Sequence, residues 1–164
     1  MNANLMRRLD RWLGVPLCFC LSLVDKFRRG LIPSSETIAP PNRLLFIGMA
    51  EIGGLLVAYP AIQRARTLFP EAEIYFLSFA TGREMLGLMG FNDSHRIIIR
   101  PNSPITFVVD TFKTLFCLRR LKIDATINLE AFARYSTLLA FLSGAATRAG
   151  FHRFYQEGNY TGEL

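Results

Sequence analysis

The residues best placed to do chemistry sit in short loops that follow apolar runs. Gly48-Met49-Ala50-Glu51-Ile52-Gly53-Gly54 closes the run Arg43–Gly48 (RLLFIG) and holds one acid, Glu51. Paired glycines such as Gly53 and Gly54 let backbone approach a ligand closely. A helix starting there offers unpaired N–H groups and the positive end of its dipole to an anion. The spacing is not G-x-G-x-x-G and no Gly-Lys-[Ser/Thr] is present, so neither the dinucleotide fingerprint nor a P-loop is found. A plain tight turn before a helix fits the spacing equally well. Glu51 reads as a helix cap, as a solvated carboxylate, or as a general base able to reach an acceptor hydroxyl.

A second loop, Asn128-Leu129-Glu130-Ala131-Phe132-Ala133-Arg134, places Glu130 and Arg134 four residues apart. That spacing suits a surface ion pair. It equally suits an arginine aimed at a phosphorylated or carboxylated acceptor. Arg148, His152 and Arg153 cluster near the last strand-like run; they read as rim charges, with Arg148 a candidate contact for an anionic ligand. Metal binding is not expected, because His95 and His152 each stand apart from other ligand-type residues. Cys18, Cys20 and Cys117 are odd in number and form no C-x-x-C, which fits a reducing compartment without a disulfide framework.

The elements that must position these loops alternate. Strand-like runs are expected at Arg43–Gly48, Glu73–Ser78, His95–Arg100, Ala125–Leu129 and Thr147–Gly150. Helical patterns are expected at Gly54–Phe69, Arg83–Met89, Pro104–Leu121 and Ala133–Leu142. Pro60 should kink or shorten the first helix. Strands alternating with helices argue for βαβ units with right-handed crossovers, hence an α/β, Rossmann-like parallel sheet sandwich. Ligands of such sheets sit at the carboxyl ends of strands, which selects the loops Gly48–Gly54, Ser78–Arg83 and Glu130–Arg134.

Composition frames the rest. In 164 residues, apolar types make up 51% and charged types 20%, which excludes a disordered chain. The net charge is +6, and 16 of the 19 cations are arginine. No run of Lys/Arg exceeds two, so nucleic acid is not expected as a partner. Trp12–Val24 (WLGVPLCFCLSLV) is 13 uncharged residues between basic flanks: Arg7, Arg8 and Arg11 before, Lys26, Arg28 and Arg29 after. As a helix it reaches about 20 Å, short of the ~30 Å hydrocarbon core. The leading reading is an amphipathic, apolar helical segment, residues 1–29, lying in the membrane interface with arginines on anionic head groups. A helix packed on a partner domain, or a signal segment, are the alternatives. Residues 30–42 (GLIPSSETIAPPN) read as a linker, and the globular part begins at Arg43.

From that point the order of motifs resembles a known family. Arg43-Leu-Leu-Phe-Ile-Gly, then Gly53, then Tyr59-Pro60-Ala61-Ile62, then Phe69-Pro70-Glu71-Ala72-Glu73-Ile74 is similar to the opening of the heptosyltransferase-type glycosyltransferases, glycosyltransferase family 9. Asp124-Ala-Thr-Ile-Asn-Leu-Glu130, Ser136, Leu142-Ser143-Gly144-Ala145 and Arg148-Ala149-Gly150-Phe151 resemble the family's fourth strand and the helix after it. The resemblance implies that residues 43–164 are the acceptor-side, N-terminal half of a GT-B fold, whose donor domain lies outside these residues. It implies an inverting enzyme that moves a heptose-like sugar from a nucleotide diphosphosugar to a lipopolysaccharide or related glycan. The nucleotide diphosphosugar would be a co-substrate held by the other domain, and no further cofactor or metal is implied. Expected partners are a lipid-linked glycan acceptor, a separate donor-binding domain and the cytoplasmic membrane surface, with the protein peripheral on its inner face. Gly53, Gly54, Glu130, Arg134 and Arg148 are the expected acceptor contacts. The family's Gly-Asp turn has Gly54 at the acid's place, and a Lys that commonly ends the first strand is Gly48 here. The base therefore does not carry over to Gly54, which leaves Glu51, the only acid of that loop. A non-catalytic glycan-binding or scaffold module is the alternative function.

Overall fold

A computed structural model of the chain describes residues 40–49, 52–130 and 134–151, and the backbone of 162–163. The expected interfacial segment 1–29, most of the linker, and Glu51 lie outside the described residues.

Six parallel strands form one sheet: β1 (Arg43–Ile47), β2 (Glu73–Phe79), β3 (Arg96–Ile99), β4 (Ala125–Asn128), β5 (Thr147–Gly150) and the two-residue β6 (Gly162–Glu163). The helices are α1 (Ile52–Leu68), α2 (Arg83–Leu88), α3 (Pro104–Leu121) and α4 (Arg134–Leu142). The order is β3-β2-β1-β4-β5-β6. The chain moves outward from β1 to β3, returns through α3 to β4 on the other side of β1, and moves outward again. The reversal between β1 and β4 is the switch point of a doubly wound sheet.

Side chains alternate across each strand and build two cores. Leu44 and Phe46 of β1 face Leu55, Ala58, Ile62 and Leu86 of α1 and α2. Leu45 and Ile47 face Leu118 of α3 and Leu139 and Ala140 of α4. Helices before the reversal thus cover one face and helices after it cover the other, as same-handed crossovers require.

Several elements differ from expectation by a residue or two. α1 starts at Ile52, so Gly53 and Gly54 belong to its first turn and not to the loop. It also continues through Pro60, so the expected shortening of its first half does not occur. Pro60 is exposed, so water can take the carbonyl that its missing N–H leaves unbonded. β3 starts at Arg96, because Asp93–His95 forms a 3₁₀ turn. α3 keeps its expected bounds. Ser103 caps it by accepting from the Thr106 N–H at 3.1 Å, with Pro104 in the first turn. β6 has no counterpart among the expected strands, since two residues carry no readable period.

The amino ends of the strands are clamped. Asp124 Oδ2 accepts from the Asn42 and Arg43 N–H groups at 3.0 and 2.9 Å, and Arg43 Nη1 donates to the Leu121 carbonyl at 2.9 Å. These bonds tie β1 and β4 together at the amino edge of the sheet.

Candidate functional site

The carboxyl ends of β1 and β4 are held in fixed relation by backbone and side-chain bonds. Leu129 N–H donates to the Ile47 carbonyl at 2.9 Å and Gly48 N–H to the Leu77 carbonyl at 3.0 Å, so β1 pairs to its end on both sides. Gly48 sits at a close approach: a Cβ there would stand 3.0 Å from the Phe76 ring, which would have to give by a few tenths of an ångström. A lysine at that place would press on the ring.

Beyond the strands, Glu130 reaches across the switch point. Its Oε1 accepts from the Met49 N–H at 2.6 Å, joining the loop after β1 to the loop after β4. Glu130 is itself set by Asn128, whose Oδ1 accepts from the Glu130 N–H at 3.1 Å. The Asn128 amide also donates to Ser136 Oγ at 3.0 Å, fully buried, and so fixes the first turn of α4. One asparagine thus sets both the acid and the helix that begins with Arg134. Sequence reasoning misses Asn128 and Ser136 as site residues. The readable signal is a lone amide ending an apolar strand, a residue type that bonds its own backbone two residues on.

Two helix N-termini meet this edge. Gly53 and Gly54 are exposed in the first turn of α1, and a Cβ on Gly53 would meet nothing within 4 Å. That turn holds no acid. Arg134, half-buried, opens α4. Helix-start N–H groups, two positive dipole ends and a guanidinium make the edge attractive to an anion. Gly82 closes its outer side beyond β2, where a Cβ would stand 2.8 Å from Leu55.

Gly53, Gly54, Glu130 and Arg134 thus all follow the carboxyl ends of β1 and β4, while Arg148 lies within a strand. It lies inside β5 rather than near a rim, opposite Thr126 and two residues short of Asn128 in register. Only 7% exposed, it packs over the Phe141 ring at 5.0 Å and donates to the Ala145 carbonyl at 2.8 Å. The alternation of a short strand turns it inward. His152 and Arg153 are outside the described residues. His95 lies at the other end of the sheet, its ring 5.0 Å from Tyr75. Among the described residues no three His, Cys, Asp or Glu side chains converge as metal ligands.

Two open concavities, of about 320 and 450 Å³, lie at the amino ends of the strands, one beside Arg66, Phe91 and His95, the other beside Arg43, Glu73 and Asp124. The second is lined by the clamp residues Arg43 and Asp124, whose polar groups are engaged in holding strands. Arg66 in the first donates to the Met89 carbonyl and lies over Phe91. The carboxyl edge, with its convergent N-termini, is the better candidate on chemistry.

No family model and no curated protein matches the sequence. Among solved structures, the chain is similar to ADP-heptose LPS heptosyltransferase II of E. coli, with a TM-score of 0.61 and 20% identity over 74% of this chain and 34% of that one. It is also similar to a glycosyl transferase family 9 protein of Veillonella parvula DSM 2008, with a TM-score of 0.58 and 15% identity over 75% of this chain and 35% of that one. The chain spans about a third of the length of each. The fold is thus that of the heptosyltransferase-type, family 9 glycosyltransferases.

Proposed function

We propose that this chain is the acceptor-side part of a glycosyltransferase that moves a heptose-like sugar from a nucleotide diphosphosugar to a lipopolysaccharide or related glycan acceptor. One observation carries the reading: in a fold shared with two glycosyltransferases, the switch-point edge gathers two helix N-termini, Arg134 and the Glu130–Met49 bridge. In this reading Arg134 and the Gly53–Gly54 turn hold an anionic group of the acceptor, and Glu130 positions the β1 loop. Inverting transfer has the acceptor hydroxyl oxygen attack the anomeric carbon while the bond to the diphosphate breaks. The hydroxyl proton passes to a carboxylate base, and the nucleotide diphosphate leaves. Glu51 is the base we assign. The donor would be bound by a further domain, and residues 1–29 would rest on the cytoplasmic membrane face near a lipid-linked acceptor.

Calorimetry with a phosphorylated, heptose-terminated core oligosaccharide tests the binding step. Saturable binding weakened at least about tenfold by R134A, the scale for losing a charge-assisted contact, is expected. Equal binding by wild type and R134A would refute it. Where a donor-binding domain is supplied, E51Q should abolish transfer while leaving acceptor affinity intact.

A second reading has its own observation. With no acid in the first turn of α1 and Gly54 at the family's acid position, the chain could hold a glycan without catalysis. Acceptor binding without transfer, together with an unchanged E51Q, would favour it.

A further inference from the structure

Helix α3 is amphipathic in an unusual sense: it has two opposed faces, one packed on the sheet and one apolar and open. At about 100° per residue, its core side runs through Asp110, Thr114 and Leu118, all buried. On the outward side, Ile105, Val108, Val109, Phe112 and Phe116 form a stripe spaced 3, 1, 3 and 4 residues apart. They are 78%, 50%, 44%, 67% and 66% exposed. A monomeric domain does not ordinarily leave two phenylalanines and three β-branched residues in one exposed row.

The charges beside the stripe have one sign. Lys113 and Arg120 flank it, Arg119 donates through Nε to the Leu142 carbonyl at 2.7 Å, and Lys122 ends the helix; Arg120 already lies over the Phe116 ring, 5.6 Å from its centroid. The only acid of α3, Asp110, is 5% exposed, on the core side, and committed to Arg100 by bonds of 2.8 and 3.0 Å. The outward half of α3 is therefore apolar along its crest and cationic along its flanks.

We propose that α3 is a membrane-docking surface that lays its Ile105–Phe116 crest into the interface of an anionic lipid bilayer. Phe112 and Phe116 enter the acyl boundary while Lys113 and Arg120 meet acidic head groups. Charge selects this occupant. A second copy of the chain would bring cation-flanked stripes together. Residues 12–24 of this chain have net positive flanks as well (Arg7, Arg8, Asp10 and Arg11 before; Asp25, Lys26, Arg28 and Arg29 after). Only an anionic surface complements both the crest and its flanks. The inference stands apart from the transferase reading and from the segment 1–29.

The test uses the full chain and flotation with vesicles of phosphatidylcholine containing or lacking phosphatidylglycerol. Binding should require phosphatidylglycerol. It should fall by roughly an order of magnitude in K113E/R120E at low salt, since each cation near the surface contributes appreciably. It should also fall in F112E/F116E, both being exposed substitutions that leave the core intact. Fluorescence of a W12F/F112W variant should be quenched by brominated acyl chains. Three results overturn the proposal: unchanged flotation of the K113E/R120E and F112E/F116E proteins; F112W fluorescence already shielded from iodide without vesicles, which means residues 12–24 cover the stripe; or a concentration-dependent dimer that F112E/F116E dissolves.

Discussion

Glu130 joins two loops that are 81 positions apart in sequence, and its removal separates them. A hydrogen bond to a charged acceptor contributes about 1.5–3 kcal/mol, and its loss leaves the Met49 N–H partly buried without that acceptor. E130A should therefore lower urea-unfolding stability by about 2 kcal/mol, with E130Q in between. Asp110 gives a pH signature. The Arg100 guanidinium, bonded to it through Nε and Nη2, holds its carboxyl down at about 2. The unfolded chain, with an ordinary carboxyl near 4, binds that proton more readily. Asp110 thus contributes stability above about pH 4 that is lost progressively as pH falls towards 2. The D110N protein should show a shallower loss of thermal stability between pH 5 and pH 3 than wild type, as followed by circular dichroism. Of the residues at the edge, the positions of Glu130, Arg134 and the two glycines past the ends of β1 and β4 are legible from the alternation of elements. The Asn128–Ser136 bond is not, because nothing in the sequence tells which partner a strand-end amide will find eight residues on.

At the scale of elements, periodicity places every strand from β1 to β5 and every helix. Errors gather where local rules compete. Pro60 reads as a disruption, yet an exposed proline in a helix buried along Leu55, Ala58, Ile62 and Ala65 is outweighed by packing. Arg148 reads as a rim cation because charge suggests surface; two-residue alternation buries it over Phe141 instead. The outward stripe of α3 is visible as apolar letters, but only packing settles which side of that helix meets the core. The join between α1 and the end of β2 offers a test at this scale. Gly82 sits where an added methyl would press on Leu55 and Ser78. G82A should cost about 1–3 kcal/mol by overpacking, measured by chemical denaturation. A cost near zero would mean that α2 shifts freely away from α1 there.

For the whole molecule, the reversal of strand order between β1 and β4 decides where a ligand belongs. Six parallel strands and two helix layers bring the ends of β1 and β4 and the starts of α1 and α4 to one edge, while Asp124 and Arg43 lock the other. The chain matches about a third of the length of the two glycosyltransferases it resembles in fold. Whether the switch-point edge binds an acceptor is read most directly by amide chemical-shift mapping of the full chain titrated with a phosphorylated, heptose-terminated core oligosaccharide. Saturable shifts are expected at Gly48, Met49, Gly53, Gly54, Glu130 and Arg134, weakened in R134A. Shifts confined to the amino-end concavities around His95 and Asp124, or none at all, would contradict acceptor binding at that edge.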